Sequence, residues 1–221
     1  MISQTEENYL KTLFNLTSLK GEASVNELSK QLDIKMPTVN SMMKRLAGKG
    51  LVVYESYKPL KLTDKGKKEA ALIIRKHRLT EMYLVEKMGF GWEEVHVIAE
   101  QLEHVQSPAF FNKIDELLGF PKVDPHGSPI PDAHGKMESE QYIKLSDCQE
   151  GDVVTFMAVT HSSDAFLKFL NSRELSLGKV IRIKSKEEFD GTMEIGYGKR
   201  KSEMLSQEVC EKIQVTHEKK K

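Results

Sequence analysis

Apolar positions at near-helical spacing open the chain. Within residues 4–19 (QTEENYLKTLFNLTSL), Tyr9, Leu10, Leu13, Phe14, Leu16 and Leu19 recur with a period close to 3.6. Acids fill the first turn and Gly21 ends the run, which predicts a first helix. Ser24 with Glu27 three residues on forms a capping box for a short second helix, SVNELSKQLDI. MPTVNSMMKRLAGKG predicts a third, with Pro37 in its first turn, Val39, Met42, Met43 and Leu46 as apolar positions, and Gly48 or Gly50 as the stop. Residues 51–54 and 60–63 then read as strands around a turn at 55–59. Two short helices joined by a tight turn and followed by a hairpin form a winged helix-turn-helix pattern.

Beyond it the period returns to that of helices. TDKGKKEAALIIRKHRLTEMYLVEKMG predicts one long helix capped by Thr63 or Asp64, GWEEVHVIAEQLEHV a second, and SPAFFNKIDELLGF a third that starts at Ser107. The last carries Phe110, Phe111, Ile114, Leu117 and Leu118 on one face, suited to the long helix or to a second copy of the chain. Residues 121–141 are rich in Pro and Gly and mark a connector. GDVVTFMAV, LGKVIRIKSK, GTMEIGYG and EKIQVT predict short strands of a small β-barrel, interrupted by a helical insert, SSDAFLKFLNSREL. The expected architecture is mainly α with a C-terminal β domain: a winged helix-turn-helix over 1–63, a helical domain over 64–120, the connector over 121–141 and the barrel over 142–217.

Charge changes the picture. Thirty-three basic and 33 acidic residues among 221 cancel, yet residues 1–82 hold 15 basic against 9 acidic and residues 83–221 hold 18 against 24. A basic segment beside an acidic one suggests a polyanion partner for the first and a cation for the second. No apolar run reaches the roughly 18 residues of a membrane span, and no positive n-region precedes an apolar h-region, so a cytoplasmic protein is expected. Cys148 and Cys210 stand 62 apart and are expected to be buried thiols.

The acidic segment carries the candidate chemistry. His77 and Glu81 are i and i+4, His96 and Glu100 are again i and i+4, and Glu100, Glu103 and His104 are i, i+3 and i+4. Residues three and four apart share a helix face, so each set can converge on one point. Ordinary ion pairs on a solvated surface explain any one set, but poorly explain three within 28 residues. Carboxylate and imidazole donors without thiolate suit Mn(II) or Fe(II) better than a closed zinc site. A carboxylate-bridged di-metal enzyme would need Glu-x-x-His on two helices, but the residue three before His104 is Gln101, and no nucleophile with a base at suggestive spacing stands out. A binding protein, not an enzyme, is expected.

EENYLKT, RKHRLTE (75–81), AEQLEHV (99–105) and DPHGSPIP (124–131), in this order behind a winged helix, resemble the DtxR/MntR family of metal-dependent repressors. The resemblance implies a homodimer that binds palindromic operator DNA of metal-transport genes, with an SH3-like (FeoA-type) C-terminal domain. It assigns one metal site to Asn8, Glu100, Glu103 and His104, and a second to His77, Glu81 and His96 with Asp124 and His126. The lesser alternative for His126 is a loop histidine that hydrogen-bonds the turn. The iron-responsive branch would have Met where Asn8 stands and Cys where Glu100 stands, and the manganese-responsive branch Asp and Glu. Glu100 places the chain nearer the manganese branch, with Fe(II) as the alternative. Asn8 fits neither pattern and offers a neutral oxygen. Where some relatives draw a ligand from the SH3-like domain, this chain has Ser162 and Ala165, with His161 and Asp164 beside them.

In a winged helix the third helix enters the major groove. Lys35, Pro37, Thr38, Asn40 and Ser41 would lie at base edges, Lys44 at phosphate, and Tyr57 and Lys58 on the wing. Asn8 on the first helix and Glu100, Glu103 and His104 further along predict that the ion ties the two together. Without it, mutual repulsion of the carboxylates is expected to leave the DNA-reading module misoriented. A winged helix that serves only protein contacts is the rival reading, and the basic N-terminal segment weighs against it.

Overall fold

A computed structural model describes residues 2–138, 141–160 and 163–218. They fall into two compact units, one of residues 2–83, 97–122 and 130–138, the other of 84–96, 123–129, 141–160 and 163–218.

In the first unit, α1 (Gln4–Lys20) begins at a complete capping box: Ser3 N–H donates to the Glu6 carboxylate at 2.8 Å and Glu6 N–H to the Ser3 hydroxyl at 3.4 Å. Gly21, at φ 75°, ends it in the left-handed conformation that glycine adopts without strain. α2 (Val25–Leu32) has the expected Ser24–Glu27 box, and α3 (Met36–Gly48) starts at Lys35 with Pro37 in its first turn. The wing strands β1 (Val52–Val53) and β2 (Lys61–Leu62) are shorter than expected. Leu60 instead exchanges backbone hydrogen bonds with Ala23, at 2.7 and 3.0 Å, so a segment ahead of α2 takes the place of the wing's own partner strand. Tyr9, Leu10, Leu13, Leu28, Val39, Met43, Leu46, Leu51 and Leu60 form the core. Each such side chain contributes roughly 1.5–3 kcal/mol on burial.

α4 (Asp64–Met88) is capped by Thr63, whose hydroxyl accepts from Gly66 N–H at 3.0 Å and donates to Gly50 O at 2.7 Å. Gly66 is where α4 meets the wing, and a Cβ there would lie 1.9 Å from the Leu51 carbonyl oxygen. Backbone cannot yield as a side chain can, so Gly66→Ala is expected to destabilise by about 1–3 kcal/mol; a urea melt with an unchanged m-value reads this. α5 (Val95–Leu102) and α6 (Pro108–Leu117) follow, and Phe111 and Ile114 of α6 pack with Leu79 and Ile130.

The second unit is built on a six-stranded antiparallel sheet. Its order is β3 (Ile143–Lys144), β8 (Ile213–His217), β4 (Val153–Val159), β5 (Val180–Lys186), β6 (Met193–Tyr197) and β7 (Arg200–Leu205). α7 (Asp164–Ser172) is the expected helical insert, capped by Ser163, and the short α8 (Gln207–Lys212) precedes β8. β7 was absent from the sequence pattern because RKSEML is mostly polar, and it is recruited by pairing with β6 at the sheet edge. Cys148 and Cys210 are free and buried, and burial pushes their thiols up to about 11 and about 12, so they are inert packing groups. Among the described residues no helix is long and apolar enough to cross a membrane.

Candidate metal centre and DNA-reading surface

Three segments of the first unit converge. α1 supplies Glu7, Asn8 and Lys11, α4 supplies Lys76, His77 and Glu81, and the end of α5 supplies Glu100, followed by Glu103 and His104. The spacing predicted all three ligands on one helix, whereas α5 ends at Leu102. Glu103 N–H still donates to Ala99 O at 2.9 Å, so the helical register extends far enough to keep Glu103 one turn beyond Glu100.

Glu103 is the centre of the network and is fully buried. Lys11 Nζ stands 2.7 Å from its Oε1 and 2.9 Å from its Oε2, and His77 Nδ1 lies 2.6 Å from Oε2. The other ring nitrogen of His77 faces Glu81 at 3.0 Å. Burial works against the imidazolium, but the hydrogen bonds to Glu103 and Glu81 outweigh it and carry the His77 pKa to about 9. For Glu103 burial pulls upward, and His77 and Lys11 together hold the carboxyl below its usual range. The expected repulsion among carboxylates is therefore corrected for Glu103, against which Lys11 and His77 both stand.

His104 is oriented by a residue the sequence did not single out. Its Nδ1 lies 2.5 Å from Glu7 Oε2, and Glu7 Oε1 accepts from Gln106 at 2.8 Å. A carboxylate on Nδ1 places the proton there and makes Nε2, 3.8 Å from Glu103 Oε1, the atom able to ligate a metal. Glu100 is half exposed, 3.7 Å from Lys11.

Three buried side-chain oxygens lack a hydrogen bond among the described residues: Asn8 Oδ1, Glu103 Oε1 and Glu6 Oε1. Glu6 Oε1 is compensated by ion pairs with Arg45 Nε at 2.9 Å and Lys49 Nζ at 2.7 Å. Burial would raise the Glu6 pKa, but the Lys49 and Ser3 hydrogen bonds lower it to about 2. Glu6 thereby fastens α1 to the C-terminal end of α3. Asn8 and Glu103 are both residues the resemblance assigns to a metal; Lys11 Nζ at 2.7 Å meets Glu103 Oε1, whereas Asn8 Oδ1 is left unmet, and a buried acceptor without a hydrogen bond is costly unless a cation meets it. Oxygen and imidazole donors without thiolate fit Mn(II) or Fe(II).

The other assigned ligands are split between the units. His77 and Glu81 are buried in the first. In the second, His96 is exposed in the first turn of α5, while Asp124 and His126 are buried in the connector. Asp124 Oδ1 accepts from His126 N–H at 2.8 Å and Ser128 N–H at 2.9 Å, shaping the turn. His126 Nε2 meets the Trp92 carbonyl at 2.9 Å, and its ring stacks on Trp92 at 5.9 Å. A carbonyl only accepts, so Nε2 bears the proton and Nδ1 is the atom able to ligate. Asp164 is exposed in the first turn of α7; His161 and Ser162 lie outside the described residues.

On α3, Lys35, Pro37, Thr38, Ser41 and Lys44 are exposed along one stretch, and Asn40 is half buried. Asn40 Oδ1 accepts from Tyr54 OH at 3.3 Å, and Ser41 Oγ donates to Pro37 O at 3.0 Å. The wing presents Tyr57, fully exposed at a left-handed φ of 66°, and Lys58, paired with Glu55 at 2.9 Å.

Glu6, Glu7 and Lys11 escaped the sequence reading for one reason. Acids in a first turn look like partners of the helix dipole, and a lysine on a polar stripe looks solvated. Their partners lie 43, 97 and 92 residues away. The available signal was that Glu7 and Lys11 flank Asn8 within one turn of α1.

Comparison with known proteins bears on this geometry. Residues 1–60 match the "Iron dependent repressor, N-terminal DNA binding domain", residues 63–132 the "Iron dependent repressor, metal binding and dimerisation domain", and residues 143–217 the "FeoA domain". The iron-dependent repressor IdeR of Mycobacterium tuberculosis is 36% identical over 127 residues, 58% of this chain and 55% of that protein. The diphtheria toxin repressor of Corynebacterium diphtheriae is 32% identical over 127 residues, 58% of this chain and 56% of that one. The chain thus spans about half the length of the curated relatives it matches. Solved structures extend the likeness: a manganese-dependent transcriptional repressor in complex with manganese has a TM-score of 0.85 at 30% identity, covering 96% of this chain and 99% of that one. ScaR with bound Zn2+ has 0.77 at 32%, covering 96% and 98%.

Proposed function

We propose, from the premise that this chain belongs to the iron-dependent repressor (DtxR/MntR) family, that it is a transcriptional repressor whose homodimer binds operator DNA when Mn(II) fills the centre around Glu103. The observation that carries the proposal is Asn8 Oδ1, a buried oxygen without a hydrogen bond among the described residues, on one of the four assigned ligands.

When bound, the ion supplies a positive charge shared by Asn8, Glu100, Glu103 and His104. Glu7 holds His104 with Nε2 toward Glu103. Asn8 lies on α1, and Glu6, two residues earlier, fastens α1 to the end of α3. A preference of the site for one position of α1 therefore becomes a preference for one position of the recognition helix, which is linkage through a rigid connection. In a dimer, two α3 helices about 34 Å apart meet successive major grooves. Thr38 and Pro37 suit thymine methyls, Lys35, Asn40 and Ser41 suit base edges, and Lys44, Tyr57 and Lys58 suit phosphate and sugar. Val97, Phe110, Leu117 and Phe120 are exposed apolar residues of the segment matched to a dimerisation domain, and they support a second copy of this chain as the other partner.

Glu100 and the wholly oxygen and nitrogen donor set favour Mn(II), and the solved neighbours named for manganese agree. Fe(II) is the second reading because IdeR is named an iron-dependent repressor. His77 and Glu81 of the first unit are proposed, on the family resemblance, as ligands of a second ion. The protein would act in the cytoplasm, where its DNA is, with neither membrane nor small-molecule substrate as partner.

The test selects binding sites from a random duplex pool and titrates the winners with Mn(II), Fe(II) and Zn(II). Palindromic sites bound with Mn(II) and released by chelator are expected. Equal response to all three metals removes the manganese assignment, and metal-independent binding removes the mechanism.

A further inference from the structure

We propose that the Lys11 ammonium is the resident counter-ion of Glu103 and the competitor that the regulatory ion must displace, so that Lys11 sets the metal concentration at which the protein switches. The inference rests on the reading of Glu103 as a metal ligand. Nζ lies 2.7 Å from one oxygen of Glu103 and 2.9 Å from the other, so one cation covers the carboxylate edge that a metal would use. The same ammonium lies 3.7 Å from Glu100, so it stands between two assigned ligands.

Its side chain is only 13% exposed, and Glu103 is fully buried. An ammonium so enclosed has exchanged most of its water for these carboxylates and does not leave without a replacement charge. Lys11 follows Asn8 by three residues, on the same face of α1, so the helix that offers the neutral ligand also delivers the competing cation. Lys11 ties α1 to Glu103 in this structure. A bound ion therefore replaces a tether instead of creating one, and the two tethers need not hold α1 in the same place.

The experiment strips the full-length protein of metal and titrates Mn(II) by calorimetry, counting bound ion by electron paramagnetic resonance. Lys11→Met keeps length and removes charge; Lys11→Gln, which keeps a donor to Glu103, answers the same question if the Met variant does not fold. Either variant is expected to bind Mn(II) at least tenfold more tightly than the parent. Its ion-free form should melt lower than the parent's, and Mn(II) should raise its melting temperature by more. Mn(II) affinity equal to or weaker than the parent's overturns the proposal. Glu103→Gln runs alongside: if it binds Mn(II) as the parent does, the ligand assignment has failed, whereas a loss there with unchanged affinity in the Lys11 variants defeats the role of Lys11 alone.

Discussion

Replacing Glu103 by Gln abolishes metal-dependent operator binding while the circular dichroism spectrum stays that of the parent. The amide keeps the size of the carboxylate and an acceptor for Lys11 and His77, but loses the charge that a divalent ion requires. Loss of an outer partner of a metal ligand already costs 10–100-fold in affinity, so loss of the ligand itself is expected to cost at least about 100-fold. Glu103→Ala is the poorer test. It leaves Lys11, with a side chain 13% exposed, and the buried His77 facing an empty volume. An uncompensated buried charge costs about 3–5 kcal/mol, and the fold would suffer together with the function. A gel shift with Mn(II) that Glu103→Gln leaves unchanged defeats the proposed centre.

Asp115→Ala is expected to cost about 3–5 kcal/mol, the largest effect on stability, without touching a proposed ligand. Arg75 of α4 places Nη2 2.5 Å from Asp115 Oδ2 of α6 and donates from Nη1 to the Pro131 carbonyl of the connector at 2.7 Å. Both side chains are nearly enclosed, at 13% and 12% exposure. One guanidinium thus fastens three segments of the first unit, and removal of its carboxylate partner strands the charge. The double variant Arg75→Met with Asp115→Leu removes both charges and is expected to recover most of the loss, since apolar replacements of similar volume commonly equal a buried pair. Urea melts check both. A single Asp115→Ala variant within 1 kcal/mol of the parent would show that water reaches Arg75 and that the pair is a surface one.

Arg75 also explains two of the stretches that carried the family resemblance. RKHRLTE begins at Arg75 and DPHGSPIP ends at Pro131, the two ends of one hydrogen bond. Their residue types were visible in the sequence, but their meeting across 56 residues was not. The grouping of the proposed ligands was legible for a different reason. Glu100, Glu103 and His104 lie within one turn of each other, and a helical period places them together before any tertiary contact forms. The end of α5 at Leu102 lay beyond that reasoning, because helix termini depend on what the next residues bond to.

Capping boxes at Ser3 and Ser24, the glycine stop at Gly21 and the apolar period of α1 to α3 are each complete within a few residues, so the winged helix could be derived from the chain alone. The donor types at the candidate centre were legible in the same way, because hardness and charge belong to a side chain wherever it sits. The electrostatic state of that centre could not be. Lys11 and Glu7 look like solvent-facing charges on a helix, and a partner 92 or 97 residues away leaves no periodic trace. Folding brings those charges out of water and against each other, where Coulomb interactions are several times stronger than at the surface. That is why a site expected to be held apart by repulsion is instead held closed by an internal lysine.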